Sequence, residues 1–278
     1  MDIKTFIRLA LEEDVASGDY STLACIPADA QGKAVLKIKE NGVLAGMEVA
    51  KEIFQYLEPQ AVFNAYKKDG DVITYGEIAF DVSAKVHTIL KAERLVLNCM
   101  QRMSGIATLT QTYVDKIKLF SSKILDTRKT TPLFRWFEKE AVRIGGGYNH
   151  RMGLYDMVML KDNHIDYCGG IEAAIIKTNE YLKANHLDLK IEVETRSIED
   201  VKKVLATGNV HRIMLDNYTP EQITEALKLI DGKYETEASG GINFDNIESY
   251  AAVGVDYISI GALTHHAVSL DLSLKASI

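Results

Sequence analysis

The densest set of groups suited to holding an anion follows one apolar run: DTRKT, Asp126 to Thr130. Arg128 can grip a carboxylate or phosphate through two parallel hydrogen bonds, and Lys129 beside it adds a compact positive charge. Such a pair after a strand is most often solvated surface, so its companions must decide. Further on, RIGGGYNHR brings Arg143, three glycines, His150 and Arg151, and MVMLKDNH brings Lys161 and His164. The glycines permit backbone conformations closed to other residues, so between two basic clusters they fit a substrate loop, although alone they mark only a turn.

Lys161 follows the apolar run MVML. At a strand end it suits either charge stabilisation of an anionic substrate or, if burial lowers its pKa, Schiff-base chemistry; the plain alternative is a half-exposed strand cap. The company of Arg128, Lys129 and Arg151 favours the electrostatic role. Against these cations stand Glu192, Glu194 and Asp216. In KIEVE the two glutamates alternate with Ile191 and Val193, so both acids share one strand face, a costly arrangement inside a sheet unless they are paired or used. They could hold a hydrated Mg²⁺ or accept hydrogen bonds from sugar hydroxyls. A structural ion-pair network is the competing explanation, above all for Glu192. Finally, ASGGI (238–242) and SIGAL (259–263) are glycine-bearing turns that each open a helix, the kind of place where backbone N–H groups bind a phosphate.

Elements must bring these residues together. Six short apolar runs recur near residues 124, 157, 190, 213, 235 and 257, with helical patterns such as SIEDVKKVLA and TPEQITEALKLI between them. Strands alternating with helices imply parallel βαβ units. An open doubly wound sheet fits the counts, but every run ends in polar or glycine residues, and α/β barrels gather functional groups at the C-terminal strand ends. Upstream, Ile3 to Glu13 has helical spacing and closes on the turn EDVASGDYS, Gly32 to Val86 reads as a small α+β unit around the helix MEVAKEIFQYL, and Thr88 to Phe120 reads as two helices. The expected fold class is therefore α/β.

Composition bounds the function. The 278 residues are 47% hydrophobic, enough for a full core, and contain no apolar stretch of the roughly twenty residues that span a bilayer. The start, MDIKTFIRLALEED, lacks a signal-peptide run, and Cys25, Cys99 and Cys168 form no CxxC pair, so a reduced cytoplasmic protein without a zinc site is expected. A net charge of -7 argues against a nucleic-acid binder, so an anionic ligand must meet a local basic cluster.

Taken together, ALEEDVASGDYST, ERLVLNCMQRMSGIAT, DTRKTTP, AVRIGGGYNHRMGLYD, LKDNH, IEVE, LDN, ASGG and GVDYISIGALTH, in this order and spacing, resemble the quinolinate phosphoribosyltransferase family, also called nicotinate-nucleotide pyrophosphorylase (carboxylating). The resemblance implies an N-terminal α/β sandwich domain, residues 1–115, and an incomplete parallel α/β barrel of about six strands, residues 116–278, with the last residues free to pack back on the first domain. It implies transfer of phosphoribosyl from 5-phosphoribosyl-1-pyrophosphate to quinolinate, with Mg²⁺, yielding nicotinate mononucleotide, pyrophosphate and CO₂ for NAD synthesis. By motif, Arg94, Arg128, His150, Arg151 and Lys161 would bind quinolinate's carboxylates. Lys129, Glu194 and Asp216 would serve the phosphoribosyl pyrophosphate and its metal, and Ser239, Gly240, Gly241, Ile260, Gly261 and Ala262 its 5-phosphate. Lys129, Lys161, Glu194 and Asp216 are the expected catalytic groups.

The resemblance also implies a homodimer, or an assembly of dimers, in which Arg94 reaches the neighbouring site. One departure is visible: Leu133, Phe134 and Trp136 stand where many relatives carry a glycine and smaller residues. Other readings are a related transferase acting on another base, a Schiff-base aldolase or lyase using Lys161, and a non-enzymatic phosphate-metabolite binder with a decayed site.

Overall fold

Alternation fixes the first sheet. In β1 (Gln31–Ile38) Ala34, Leu36 and Ile38 are buried while their neighbours are more exposed, the period of a half-buried strand. A computed structural model of the chain describes residues 2–277. Before β1 come α1 (Ile3–Val15), capped by the Asp2 side chain, and α2 (Tyr20–Cys25), capped by Asp19 in what the sequence reads as a plain turn. After it come β2 (Gly42–Val43), α3 (Met47–Leu57), β3 (Val62–Ala65), β4 (Val72–Ile73), β5 (Ile78–Lys85) and α4 (Val86–Lys116). The remaining elements are β6 (Lys123–Leu125), α5 (Arg135–Ile144), β7 (Val158–Leu160), α6 (Asp162–Cys168), α7 (Ile171–Ala184), β8 (Ile191–Thr195), α8 (Ile198–Thr207), β9 (Arg212–Asp216), α9 (Pro220–Ile230), β10 (Glu235–Ser239), α10 (Ile247–Ala252), β11 (Tyr257–Ser259), α11 (Ala262–His265) and β12 (Leu272–Ala276).

The chain forms two compact units. The first runs through Gln111 and includes Thr130–Gly146 and everything from Leu263 onward. Its antiparallel sheet has the order β12-β1-β5-β3, with Ala34 opposite Ala276 and Val35 opposite Asp81. Phe54 on α3 meets Phe80 edge-on, and Phe80 lies 4.4 Å from Phe63, which seals one face of the sheet.

Where the sequence suggests two helices from Thr88 to Phe120, a single helix of 31 residues forms. Its one interior glycine, Gly105, is not a break but a contact point: a Cβ there would overlap the Val268 carbonyl. A single domain boundary at 115 likewise differs from the observed units, because residues 130–146 belong with the first, as does the C-terminal segment, which the resemblance leaves free to pack there. The reason is one buried ion pair. Glu138 on α5, with no solvent exposure, accepts hydrogen bonds from Arg102 Nε (3.0 Å) and Nη2 (2.9 Å), from the Thr131 amide (3.1 Å) and from the Thr131 hydroxyl (2.9 Å). Arg102 also donates to the carbonyls of Ala267 (2.8 Å) and Thr264. Three distant stretches are tied through one guanidinium. Between Thr131 and α5, Leu133 takes a left-handed φ of 62° and is 74% exposed, while Phe134 and Phe137 stack and close on Phe6 of α1.

The second unit comprises Thr112–Lys129 and Gly147–Ala262. Its six strands are all parallel, in the order β6-β11-β10-β9-β8-β7. The pairing aligns Glu192 with Arg212, Glu194 with Met214, Asp216 with Ser239, and Ser259 with Leu125. The functional strand ends therefore lie at one end of the sheet. The fold class is the expected α/β, a six-stranded parallel sheet with a separate antiparallel sheet domain.

Candidate active site

Residues from the ends of all six parallel strands line one cavity of about 520 Å³, which requires the sheet to curl. They include Thr127, Arg128 and Lys129 after β6, Met159, Lys161 and Asp162 at β7, Glu194 on β8, Met214, Asp216 and Asn217 at β9, Glu237, Ser239, Gly240 and Gly241 at β10, and Ser259 on β11, with His150 and Arg151. The incomplete-barrel arrangement thus gathers the sequence's polar strand ends as expected.

Asp126 anchors this array from beneath. Fully buried at the end of β6, it accepts the His150 amide at 2.8 Å and the Asn149 side chain at 2.6 Å. The glycines of RIGGG do not line the cavity. A Cβ on Gly145 would press on Ala107 and on Thr110, so this glycine permits close approach to α4, and of the expected substrate loop His150 and Arg151 line the cavity.

Two guanidinium groups adjoin in the cavity. Arg128 Nε is buried with no hydrogen-bond partner, and the buried Arg151 has only the Met157 carbonyl at 3.3 Å and the Met159 sulfur at 3.6 Å. Burial, and then the positive charge of Arg128, push the Arg151 pKa down, with Glu192 and Asp156 opposing in part. Lys129 and Lys161 stand exposed at the rim. The Lys161 amide donates to His164 Nδ1 at 3.1 Å, so His164 caps α6 rather than entering the cavity.

Glu194 and Asp216 supply the opposite charge. Both carboxyls are raised above their ordinary pKa, first by burial; Glu194 is raised further by Asp216, while Lys161 pulls both back. The Asn217 side chain donates to Asp216 at 2.6 Å. Gly240, at φ 89°, is required because a Cβ would fall 2.9 Å from the Asn217 backbone nitrogen. Ser239, Gly240 and Gly241 line the cavity as expected, but Ile260, Gly261 and Ala262 do not: the Ile260 amide is committed to the Leu125 carbonyl at 3.0 Å and its side chain is core. Ser259 occupies the wall instead.

Arg94 is not in this cavity. It lines a separate one of about 540 Å³ in the first unit, with Phe6, Leu9, Leu95, Pro132, Leu133 and Phe134 among its walls, and it forms no ion pair among the described residues. That cavity is slightly larger, but the carboxyls and guanidinium with shifted pKa values that could serve an anionic substrate surround the second unit's cavity, so chemistry is assigned there.

Sequence reasoning missed Glu237. It is fully buried on β10, and with Glu192 and His150 its ligating atoms lie within 4.8 Å of one another. The signal was available, since ETE in YETEAS alternates acids as EVE does in KIEVE. Glu192, for which a structural ion pair was the competing explanation, lies below the cavity with His150 Nε2 2.9 Å away. Among the described residues no helix is long and apolar enough to cross a membrane.

Comparison with known proteins covers nearly the whole chain. Residues 19–104 match the family model for the quinolinate phosphoribosyl transferase N-terminal domain, and residues 106–275 match that for its C-terminal domain. The chain is 45% identical over 289 aligned residues to the chloroplastic nicotinate-nucleotide pyrophosphorylase (carboxylating) of Arabidopsis thaliana, spanning 99% of this chain and 82% of that one. It is 40% identical to the probable nicotinate-nucleotide pyrophosphorylase (carboxylating) of Bacillus subtilis, over 100% of this chain and 94% of the relative. The crystal structure of NadC from Streptococcus pyogenes superposes with a TM-score of 0.92 at 42% identity, covering 99% and 96% of the two chains.

Proposed function

The chain belongs to the quinolinate phosphoribosyl transferase family, and from that premise we propose how its cavity carries out the family's reaction. The enzyme transfers phosphoribosyl from 5-phosphoribosyl-1-pyrophosphate to quinolinate with decarboxylation, giving nicotinate mononucleotide, pyrophosphate and CO₂ in NAD biosynthesis. The observation that carries the residue assignment is the division of charge. Arg128, Arg151 and Lys161 come from the two edge strands and the loop between them, whereas Glu194 and Asp216 come from interior strands.

Quinolinate's two carboxylates meet Arg128, whose buried Nε donor has no partner, and Arg151 beside it. Lys161 and Lys129 at the rim neutralise the pyrophosphate as it leaves. Glu194 and Asp216 face the ribose, where an oxocarbenium-like charge develops and where carboxylates held partly out of water act most strongly. The 5-phosphate lies at Ser239–Gly241. Loss of CO₂ leaves an electron pair on the ring carbon beside the positively charged pyridinium nitrogen, so the ring itself supplies most of that stabilisation and the protein supplies position.

Mg²⁺ fits this donor set. Glu194 and Asp216 are hard oxygen ligands, with Asp216 close enough to raise the charging cost of Glu194, and they would hold the ion through retained waters. The ion would neutralise the diphosphate. A Schiff-base role for Lys161 finds no support, since the side chain is exposed rather than desolvated.

Arg94, which lines a separate cavity with Arg102, Glu13 and Asp14 and forms no ion pair among the described residues, is best used by a second copy of the chain, which makes the unit of function a homodimer with Arg94 lent to the neighbouring site. Soluble substrates and free cysteines suit the cytoplasm. The test of the reading is single-turnover formation of nicotinate mononucleotide from quinolinate, phosphoribosyl pyrophosphate and Mg²⁺, with nicotinate as competing base. Product from quinolinate alone is expected; product only from nicotinate overturns the assignment of the arginines.

A further inference from the structure

Among the described residues, six that are not glycine have a positive φ: Ala16, Leu133, His186, Asn209, Asn217 and Asp231. Helix ends account for four of them. Ala16 and Asp231 cap α1 and α9, while His186 and Asn209 follow the caps of α7 and α8. Leu133 lies outside the active-site cavity. Asn217, at φ 58°, is the exception, because it follows a strand, β9, and lines the cavity. A left-handed backbone is unfavourable for a residue with a side chain, and glycine would make the same turn freely. The side chain kept there therefore needs a use.

Its contacts show one. Asn217 Nδ2 donates to Asp216 Oδ2 at 2.6 Å. Behind the carboxamide stands the Gly240 turn, so close that a Cβ on Gly240 would overlap Asn217 Oδ1 and fall 2.7 Å from Cγ. The Asn217 amide donates to the Ser239 carbonyl at 2.8 Å, one step beyond the aligned pair of Asp216 and Ser239. The next residue, Tyr218, is buried and its carbonyl accepts the Tyr250 hydroxyl at 3.1 Å, and Thr219 then caps α9. The turn is thus fixed on both sides of Asn217.

We propose that Asn217 is a positioning residue for the phosphoribosyl half of the site: its left-handed backbone turns the carboxamide back onto Asp216, and Nδ2 fixes the direction of that carboxyl toward the ribose. The proposal rests on the reading that Asp216 faces the ribose. A carboxyl at a strand end rotates easily about its last torsion, so a donor on the adjacent residue selects one orientation from many. An amide suits the task because it donates without carrying charge, which leaves Asp216 its full negative charge for the positive centre that develops on the ribose. Gly240 keeps the carboxamide from swinging away, which gives this glycine a second reason to lack a side chain.

The experiment measures the binding of 5-phosphoribosyl-1-pyrophosphate by calorimetry, with Mg²⁺ and with phthalate, which carries quinolinate's two carboxylates on a ring without the reacting nitrogen. The proteins are the unsubstituted enzyme, Asn217→Gly, Asn217→Asp, Asp216→Ala and the double variant of Asn217→Gly with Asp216→Ala. Glycine adopts the Asn217 backbone without strain, so Asn217→Gly is expected to keep its melting temperature yet bind roughly tenfold more weakly, the lower end for a hydrogen bond to a charged group. Asn217→Asp keeps the shape but replaces the donor with a second carboxyl, and is expected to weaken binding at least as much. With the acceptor removed by Asp216→Ala, adding Asn217→Gly is expected to change affinity by about twofold or less. Quinolinate affinity, titrated alone, should be the same in the unsubstituted enzyme and both single Asn217 variants. An equal loss from Asn217→Gly in both backgrounds would mean that Asn217 touches the substrate itself. Full affinity in Asn217→Gly or in Asn217→Asp would mean that the residue only shapes the turn, and either result overturns the proposal. Failure of the unsubstituted enzyme to bind 5-phosphoribosyl-1-pyrophosphate would instead remove the reading of the cavity, and this proposal with it.

Discussion

At the scale of single residues, the site is built from groups held in unfavourable states. Arg128 keeps a buried donor without a partner, so Arg128→Ala removes a group whose bond is made only with substrate. A charge-assisted bond contributes roughly 1.5–3 kcal/mol, which predicts a fall of about 10- to 100-fold in kcat/KM for quinolinate. Steady-state kinetics with quinolinate varied at saturating phosphoribosyl pyrophosphate will measure it. Asp216 and Glu194 have raised pKa values, so each binds its proton more tightly in the folded chain than in the unfolded one. Stability from this source is present below the ordinary carboxylate range and is lost as pH rises through the raised values. Activity runs the other way and needs both acids ionised, so the acid limb of the pH–rate profile is expected above the ordinary carboxylate range. Asp216→Asn should then melt higher by about 2–4 °C, for roughly 1 kcal/mol recovered, while losing turnover; a variant that is both inactive and less stable would contradict this. Most of these residues were legible in the sequence because type and strand-end position coincide. Glu237 was not singled out because its strand carries a single buried apolar residue to mark it as interior.

At the scale of elements, α4 illustrates how packing overrides a local signal. Glycine inside a helix is disfavoured by about 1 kcal/mol relative to alanine, which is why the sequence suggests a break at Gly105. The Val268 carbonyl occupies the space a side chain would need, and backbone cannot swing aside as a side-chain tip can. Gly105→Ala is therefore expected to destabilise by roughly 1–3 kcal/mol despite the gain in helix preference, a result that thermal melting will show as a lower midpoint. The parallel strands, in contrast, were readable from recurrence alone, since six apolar runs separated by helical spacing admit few topologies. What recurrence could not show is that residues 130–146 leave that series to join the first unit, because the cause is the long-range pairing of Arg102 with a glutamate that looks like ordinary surface charge on α5.

At the scale of the whole molecule, a chain of net charge -7 places Arg128 and Arg151 together in one cavity, so attraction of an anionic substrate is local and should weaken only modestly as salt rises. The lent-arginine arrangement makes a sharper prediction. Arg94→Ala and Asp216→Asn proteins should each be nearly inactive, yet after mixing and subunit exchange they should regain activity, since a mixed dimer carries one site with both residues intact. Absence of recovery, with exchange verified by mass, would place Arg94 outside catalysis. The cavity around Arg94 could not be read from KAERLVLN, where it looks like one more helical charge.

The edge pairing of β12 with β1 has a consequence for the order in which the protein is made. Strands β6 to β11 have all been translated before Leu272–Ala276 emerges, whereas β1, among the first segments synthesised, waits for that last strand to satisfy its outer edge. On the ribosome the first unit is completed only after every strand of the second has emerged, with the outer edge of β1 unpaired until then.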